Sequence, residues 1–268
     1  MYIIKASGEK EEFKPNKILG TLLRAGASRK LAGEIVAKIK GKIHEGSTTK
    51  EILNLGLSSL KNKSPEVGAR YDLKRAVMNL GPTGFPFERF FADILNHYGY
   101  ATEVGKIVMG KITSHEVDVT AKKDKTYMIE LKYHNSLGVY TNLKVALYVY
   151  ARFLDLKAKY DQPWLSTNTK LSRKAMVYAK GIGMKVTSWQ YPAEGCLRGL
   201  IEKKKLYPIT ILKSINDATK FKLVNSGIIL AISLLDYDLE ELKKKTGISE
   251  NILKKILEEA SGICKVNV

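Results

Sequence analysis

Segment 115–134, HEVDVTAKKDKTYMIELKYH, constrains the fold of this chain more than any other stretch. Polar and apolar residues alternate on both sides of a short polar turn, and this period of two predicts an antiparallel hairpin. Residues two apart in a strand point to the same face. Glu130 and Lys132 are therefore expected on one face of the second strand, and Glu116 and Asp118 on one face of the first. Pairing across the turn would bring Asp118 within side-chain reach of Glu130.

The pattern around this hairpin predicts an α/β domain with a mixed sheet over residues 83–190, in the order helix, three strands, helix, strand, helix, strand. The segment GPTGFP, residues 81–86, predicts a domain boundary. We therefore divide the chain into a mostly helical domain (1–82), the α/β domain (83–190) and a small helical module (191–268). The predicted helices outside the α/β domain include residues 14–26, 28–44, 49–61, 65–80, 215–233, 236–245 and 249–260.

The net charge of +18 favours a polyanionic partner such as nucleic acid. Residues 1–82 carry 16 basic and 8 acidic residues, and residues 83–190 carry 16 and 9, so these two domains hold most of the excess. Lysine enrichment for solubility is the alternative explanation. No apolar run approaches the roughly 20 residues of a membrane span, and no signal-peptide pattern opens the chain. We therefore expect a cytoplasmic protein without a membrane partner.

A pair of neighbouring carboxylates on a basic protein indicates a cation site. Two carboxylates about 4–6 Å apart repel each other unless something compensates their charge. Mg²⁺ suits such a pair, because it binds one or two carboxylates and keeps waters and phosphate oxygens as its other ligands. An adjacent lysine can position a water or stabilise developing negative charge. These groups suit phosphodiester hydrolysis. The alternative is a solvated hairpin face with a cross-strand Glu–Lys pair.

The order helix with Glu88, strand, EVDV, turn, MIELKY, helix resembles the PD-(D/E)XK restriction-endonuclease-like superfamily, in its Mrr-like and archaeal resolvase-like branches. The resemblance covers residues 83–190 and implies a metal-dependent endonuclease that acts on DNA rather than RNA. It implies that Asp118, Glu130 and Lys132 are the catalytic set, completed by Glu88. Mg²⁺ or Mn²⁺ would then be bound by Asp118, Glu130 and Glu88.

Other polar residues near this motif receive weaker assignments. The superfamily often needs a polar residue on the helix after the E-x-K strand, and Lys144 is the candidate here. His115 and His134 flank the hairpin. By strand parity both lie on the face opposite Asp118 and Glu130, so we expect them to be structural.

The amino-terminal segment IIKASGEKEEFKPNKILGTLLRAGAS resembles the ATP-cone, a regulatory nucleotide-binding domain of ribonucleotide reductases and their repressor. The resemblance covers residues 1–82 and implies that ATP or dATP is an effector. Ala6 replaces the arginine of the family's Lys-Arg pair and cannot grip phosphates as arginine does. The alternative is a degenerate cone kept as a basic docking or dimerisation module. The nucleotide contacts that the resemblance implies are Ile3, Lys5, Glu11, Lys17 and Thr49.

Together these features predict a Mg²⁺-dependent DNA endonuclease with an ATP-cone in front and a helical module behind. Relatives of the cone use nucleotide to change their oligomeric state, so a homodimer is expected. Hydrolysis of ATP is not expected, because the chain has no GxxxxGK[ST] loop. The rival hypothesis is a non-catalytic nucleic-acid-binding or nucleotide-sensing regulator built on a nuclease-like fold.

Overall fold

A computed structural model describes residues 1–61 and 63–264. The strands are β1 (Tyr2–Ile4), β2 (Lys10–Glu12), β3 (Ala101–Met109), β4 (Ser114–Lys122), β5 (Thr126–Lys132), β6 (Tyr140–Thr141), β7 (Gln162–Thr167), β8 (Lys170–Leu171) and β9 (Lys185–Thr187). The α-helices are α1 (Pro15–Arg24), α2 (Arg29–Lys40), α3 (Thr49–Leu60), α4 (Pro65–Tyr71), α5 (Leu73–Met78), α6 (Phe85–His97), α7 (Leu143–Leu156), α8 (Arg173–Gly181), α9 (Leu197–Lys204), α10 (Asp217–Asn225), α11 (Leu239–Thr246) and α12 (Glu250–Cys264). Short 3-10 turns span Ile209–Ile211 and Ile232–Asp236.

A five-stranded mixed sheet with strand order β3-β4-β5-β7-β9 lies at the centre of the molecule. Strands β3, β4 and β5 are antiparallel, whereas β7 and β9 extend the sheet in parallel from β5. Each parallel connection contains a helix, α7 before β7 and α8 before β9, because parallel neighbours need a crossover. The predicted mixed α/β class is confirmed. The small pairs β1–β2 and β6–β8 lie outside this sheet.

The β4–β5 hairpin separates at the end where the predicted catalytic residues lie. Its pairing runs from the turn to Val119 opposite Ile129 and stops before Asp118 and Glu130. Gly105 on β3 lies between the residues that pair with Val119 and Val117 of β4, and it has a φ of +67°, a conformation that favours glycine. Strands β4 and β5 diverge beyond the pair Val119–Ile129. The side chain of Asp118 occupies the gap that backbone pairing would otherwise fill.

One apolar cluster draws residues from all three predicted domains. Helix α5 contributes Val77, helix α6 contributes Phe87 and Phe91, and the sheet contributes Ile129. Helices α9 to α12 complete it with residues such as Leu253. The amino-terminal helices have a separate core, and helices α7 and α8 pack on the other sheet face in a third cluster. This cluster crosses the predicted domain boundaries at residues 82 and 190. The boundaries stay predictions.

The single helix predicted over residues 65–80 is wrong, because the chain breaks at Asp72 into α4 and α5. Asp72 has φ −92° and ψ 12°, which turns the chain between the two short helices. The break lets Val67 on α4 pack into the amino-terminal core while Val77 on α5 packs into the shared cluster. One straight helix would present its apolar side chains along a single stripe.

The helix predicted over residues 215–233 is also shorter than expected. Helix α10 ends at Asn225, and Gly227 follows with a φ of +78°, which redirects the chain. The next residues are extended, and the N–H of Ile209 donates to the carbonyl of Ile229 at 2.9 Å. Within residues 1–61 and 63–264, no helix is both long and apolar enough to cross a membrane.

Two helical glycines make a matched test of packing in the amino-terminal domain. A Cβ added at Gly56 would lie 2.9 Å from Cε1 of Tyr71, whereas one added at Gly33 would meet nothing within 4 Å. We expect Gly56→Ala to lower the free energy of unfolding by about 1–3 kcal/mol through overpacking. Gly33→Ala should raise it by roughly 0.5–1 kcal/mol, since alanine is the better helix former. Urea unfolding measures both, and equal effects would contradict the packing of α3 on Tyr71.

Candidate functional site

Asp118 on β4 lies in the gap between the diverging strands. Its Oδ2 accepts the backbone N–H of Leu131 at 2.6 Å, so its carboxylate replaces the backbone carbonyl that regular pairing would supply. Burial, followed by the nearby negative charge of Glu130, raises the pKa of Asp118 to about 6. The structure therefore brings Asp118 and Glu130 into electrostatic contact, as the hairpin pattern predicted.

Glu130 on β5 is the buried acid of the site, with 3% of its surface exposed. Its Oε1 accepts a hydrogen bond from Lys132 Nζ at 2.6 Å, so these two side chains share one sheet face as expected. Its Oε2 accepts a hydrogen bond from Nη1 of Arg152 on α7. Two cations thus compensate one carboxylate, which burial without partners would make very costly.

Arg152 is a site residue that the sequence reasoning missed. Lys144 on the same helix was the predicted polar residue, but it is exposed near the helix start. Arg152 lies three residues after the buried Val149 and four before the buried Leu156, so it occupies the apolar stripe of α7. An arginine within such a stripe requires a buried anion, and this signal was available in the sequence.

Glu88 lies in the first turn of α6 and faces the other acids of the site. Burial, followed by the negative charges of Asp118, Glu116 and Glu130, raises its pKa to about 7. Within the described ranges, neither Glu88 nor Asp118 forms a salt bridge, whereas Glu130 forms two. Negative charge therefore accumulates between α6 and β4, and the nearby Lys132 offsets it only in part.

A preassembled three-carboxylate metal cage is absent from the described part of the chain. No three acidic, histidine or cysteine side chains of residues 1–61 and 63–264 are close enough together to hold a metal ion. The predicted ligand set of Asp118, Glu130 and Glu88 is therefore not assembled as one cluster. The physical reason is that both oxygens of Glu130 are already occupied by Lys132 and Arg152.

The two histidines that flank the hairpin have partners inside the fold. His115 Nε2 lies 2.8 Å from Oδ2 of Asp155, a residue on α7. The backbone N–H of His134 donates to Oδ1 of Asn168 at 2.9 Å. The ring atom Nε2 of His134 lies 3.1 Å from Oγ1 of Thr141. Burial and the nearby Lys132 lower the pKa of His134. These contacts fit the expected structural roles.

Four of the five predicted nucleotide contacts line one cleft of about 280 Å³, namely Lys5, Glu11, Lys17 and Thr49. Lys5 lies 3.2 Å from Glu9 and 3.5 Å from Glu11, and Lys17 also forms a salt bridge with Glu11. Thr49 is the first residue of α3, whose amino terminus is closed by a capping box from the preceding residue. The fifth, Ile3, packs into the amino-terminal core and does not line the cleft.

Comparison with known proteins supports part of this picture. The sequence model of the ATP cone domain matches residues 1–76. The model described as "AF1548-like, C-terminal" matches residues 207–264. An uncharacterized protein of Archaeoglobus fulgidus is 40% identical over 174 residues, which cover 64% of this chain and 98% of that protein. The crystal structure of the protein of unknown function AF1548 matches with 38% identity and a TM-score of 0.62 over 68% of this chain and 98% of that one.

This chain therefore belongs to the AF1548-like family and carries an ATP cone at its amino terminus. The predicted ATP cone is confirmed, and it suggests regulation by nucleotide sensing. The relatives' names give no activity for the central sheet.

The crowded acids predict an unusual dependence of stability on pH. The pKa of Glu88 rises from 4.5 in an unfolded chain to about 7 in the fold. The stability that its neutral form contributes is therefore present at low pH and is lost as pH rises through about 7. Without divalent cations, we expect Glu88→Gln to unfold at a higher urea concentration than wild type at pH 8. Allowing for solvent screening, the gain should be about 1–2 kcal/mol.

At pH 4, where Glu88 is protonated in both states, the variant and wild type should have nearly equal stability. Glu194→Gln, at an exposed glutamate outside the cluster, is the matched control and should change little at either pH. Equal stabilities of Glu88→Gln and wild type at pH 8 would contradict the crowding of charge around Glu88.

Proposed function

We propose that the chain is a divalent-cation-dependent DNA endonuclease that hydrolyses phosphodiester bonds. The observation that carries this proposal is the pair of crowded carboxylates, Glu88 and Asp118. Their pKa values are raised to about 7 and about 6, and neither has a salt bridge within residues 1–61 and 63–264. A protein with a net charge of +18 had many lysines with which to neutralise them. An exchangeable cation explains why no lysine, not even the nearby Lys132, forms a salt bridge with either acid in these ranges.

The donor set fits Mg²⁺ or Mn²⁺. Asp118 uses one oxygen for the N–H of Leu131 and keeps its other oxygen for a cation, and Glu88 supplies a second carboxylate. Two carboxylates are enough, because Mg²⁺ keeps waters and substrate phosphate oxygens as further ligands. Glu130 would join as a third ligand only by giving up a bond to Lys132 or Arg152. When bound, such a cation supplies an activated water and stabilises negative charge on the phosphate.

The residues around the acids have separable roles in this proposal. Arg152 holds Glu130 from the buried side and so fixes the end of β5. Lys132, whose side chain is 36% exposed, reaches the surface beside the acids and is the group that contacts the scissile phosphate or the attacking water. The mixed sheet and the order of its elements are compatible with a restriction-endonuclease-like fold. The basic surface binds the nucleic-acid backbone, DNA being the proposed substrate.

A nucleotide-sensing regulator without catalytic activity is the second candidate. It is favoured by the ATP cone and by the full pairing of Glu130 with two cations. The two candidates separate in one assay, in which purified protein is incubated with DNA of several structures, with Mg²⁺ or Mn²⁺, and with or without ATP. The same assay, run alongside measurement of mass in solution, tests whether a homodimer forms and responds to nucleotide.

Asp118→Asn and Lys132→Met test the catalytic assignment. We expect each to lower cleavage by at least about 100-fold, because one removes a cation ligand and the other a group that stabilises charge. DNA affinity should persist, and Asp118→Asn should bind somewhat more tightly because repulsion of phosphate falls. Glu130→Gln should also lose cleavage, but its loss of stability must be measured with it.

Glu194→Gln is the control and should cleave as wild type does. Cleavage assays establish the rates, and circular dichroism confirms that the variants are folded. Wild-type rates in both Asp118→Asn and Lys132→Met would show that the site is wrongly assigned. Absence of cleavage by the wild-type chain across the DNA panel and both metals would favour the regulator.

Binding to DNA should depend steeply on salt. A protein that neutralises phosphates releases condensed counterions, so the logarithm of the binding constant falls by about 0.9 per contacted phosphate for each decade of salt. Fluorescence anisotropy of a labelled duplex between roughly 50 and 200 mM salt measures this slope. Affinity that stays constant over this range would contradict binding through the basic surface.

A further inference from the structure

The cleft that holds the predicted nucleotide contacts is not made by the ATP cone alone. Lys5, Lys17 and Thr49 line one side, together with Lys74 at the start of α5. The opposite side comes from the central domain, through the loop between β5 and β6, the segment that contains β8, and the residues just after β9. Its lining residues there include Leu137, Gly138, Val139, Tyr140, Lys170 and Gln190.

The central loop touches the cone backbone directly at Gly138. This glycine has a φ of +87°, and a Cβ added to it would lie 2.8 Å from the carbonyl oxygen of Ala6 and 2.9 Å from the nitrogen of Ser7. Backbone therefore packs on backbone, and a side chain at residue 138 would push the two parts apart. Ala6 and Ser7 form the β1–β2 turn, which also carries Lys5 at the edge of the cleft.

The cleft contains more cations than it has acids to pair with them. Lys5 and Lys17 are held by Glu9 and Glu11, but Lys74 and Lys170 form no salt bridge within the described ranges. Burial, followed by the positive charge of Lys170, lowers the pKa of Lys74 to about 8. The charge of Lys170 also acts on the Glu9 carboxyl. Neither Lys74 nor Lys170 has an acid within salt-bridge distance in the described ranges, so a bound anion would relieve their mutual repulsion.

Aromatic rings hold both of these lysines in place. Lys74 Nζ lies 5.7 Å from the ring centroid of Trp189, and Lys170 Nζ lies 5.6 Å from that of Tyr140. Strand β8 also pairs Lys170 with Tyr140 of β6 in parallel register. The lysines are therefore positioned before any ligand arrives, which lowers the entropic cost of binding an anion.

We propose that this cleft is a composite site for a nucleoside triphosphate, in which Lys74 and Lys170 join Lys5 and Lys17 around the phosphates. The central domain closes the site through Tyr140 and the loop at Gly138. Lys170 supplies part of the phosphate contact that the family's arginine would make at position 6, where this chain has alanine. Binding therefore tightens the contact between the cone and the loop of residues 133–139.

The same loop leads directly to the proposed catalytic strand. Lys132 ends β5, and His134 follows, tied at its N–H and its carbonyl to Asn168 at 2.9 and 2.7 Å. Gly138 lies four residues further on. A triphosphate that fixes Gly138 against the cone thereby restrains the end of β5, so its occupancy controls where Lys132 lies. This catalytic consequence rests on the proposed nuclease function, whereas triphosphate binding does not.

Calorimetric titration of the full chain with ATP, dATP and ADP tests the composite site. We expect Lys170→Ala and Lys74→Ala each to weaken ATP binding about tenfold or more, because each removes a charged contact to phosphate. Lys180→Ala is the matched control, since this exposed lysine on α8 does not line the cleft. It should bind ATP as wild type does.

Hydrogen exchange tests the coupling without any need for cleavage. In the wild-type chain, ATP should slow exchange in residues 133–141. Gly138→Ala should lose this protection, because its Cβ collides with Ala6. Gly195→Ala is the control for backbone strain, since Gly195 has a φ of +80° but a Cβ there would meet nothing within 4 Å. It should keep the protection.

Three results would overturn the composite site: no binding of ATP, dATP or ADP at millimolar concentration, equal ATP affinity of Lys170→Ala and Lys180→Ala, or no protection of residues 133–141 in wild type. Cleavage is scored separately. A chain that shows the expected binding and protection but cuts no DNA refutes the nuclease and keeps the site. A chain that cuts DNA but binds ATP independently of Lys170 refutes the site and keeps the nuclease.

Discussion

The buried charge of Glu130 is the constraint on which the arrangement of the central domain depends. A carboxylate that is 3% exposed requires compensation, and it takes one cation from its own strand and one from α7. Arg152 thereby fixes the helix against the sheet, in the layer formed by Met128 and Val149. Because both of its oxygens are occupied, Glu130 leaves Asp118 and Glu88 as acids of the site that form no salt bridge within residues 1–61 and 63–264. The distribution of charge in the site follows from this one burial.

Much of the central sheet could be predicted, because its determinants are local. The alternation in β4 and β5 gave the hairpin, and it placed Asp118 near Glu130 and Lys132 beside it. Arg152 was missed because its partner Glu130 lies 22 residues away and its helix is mostly apolar. The break at Asp72 and the end of α10 could not be predicted from periodicity, since helix propensity does not tell which core each turn will join.

In the ATP cone, too, only part of the nucleotide cleft could be predicted from the sequence. Sequence resemblance indicated Lys5, Lys17 and Thr49, and the fold gathers them because β1 is tied to the start of α3, with the N–H of Ile4 donating to the carbonyl of Ser47 at 3.0 Å. The resemblance gave no information on which residues form the opposite wall of the cleft. The opposite wall comes from a distant part of the chain that begins at Leu137, and no local pattern encodes a contact between Gly138 and Ala6. The presence of Ala6 in place of the family's arginine can be interpreted only together with Lys170 on that wall.

The apolar cluster that crosses both predicted domain boundaries makes the chain a single thermodynamic unit. Helix α5 is packed with the carboxyl-terminal helices, Thr210 Oγ1 donates to the carbonyl of Ala76, and Arg70 donates to the carbonyls of both Ala25 and Ile263. The cone therefore cannot separate from its neighbours without exposing apolar surface of this cluster, and that exposure raises the free energy of opening. A recombination event that exchanged this cone for another would have to replace part of the host's own core with it.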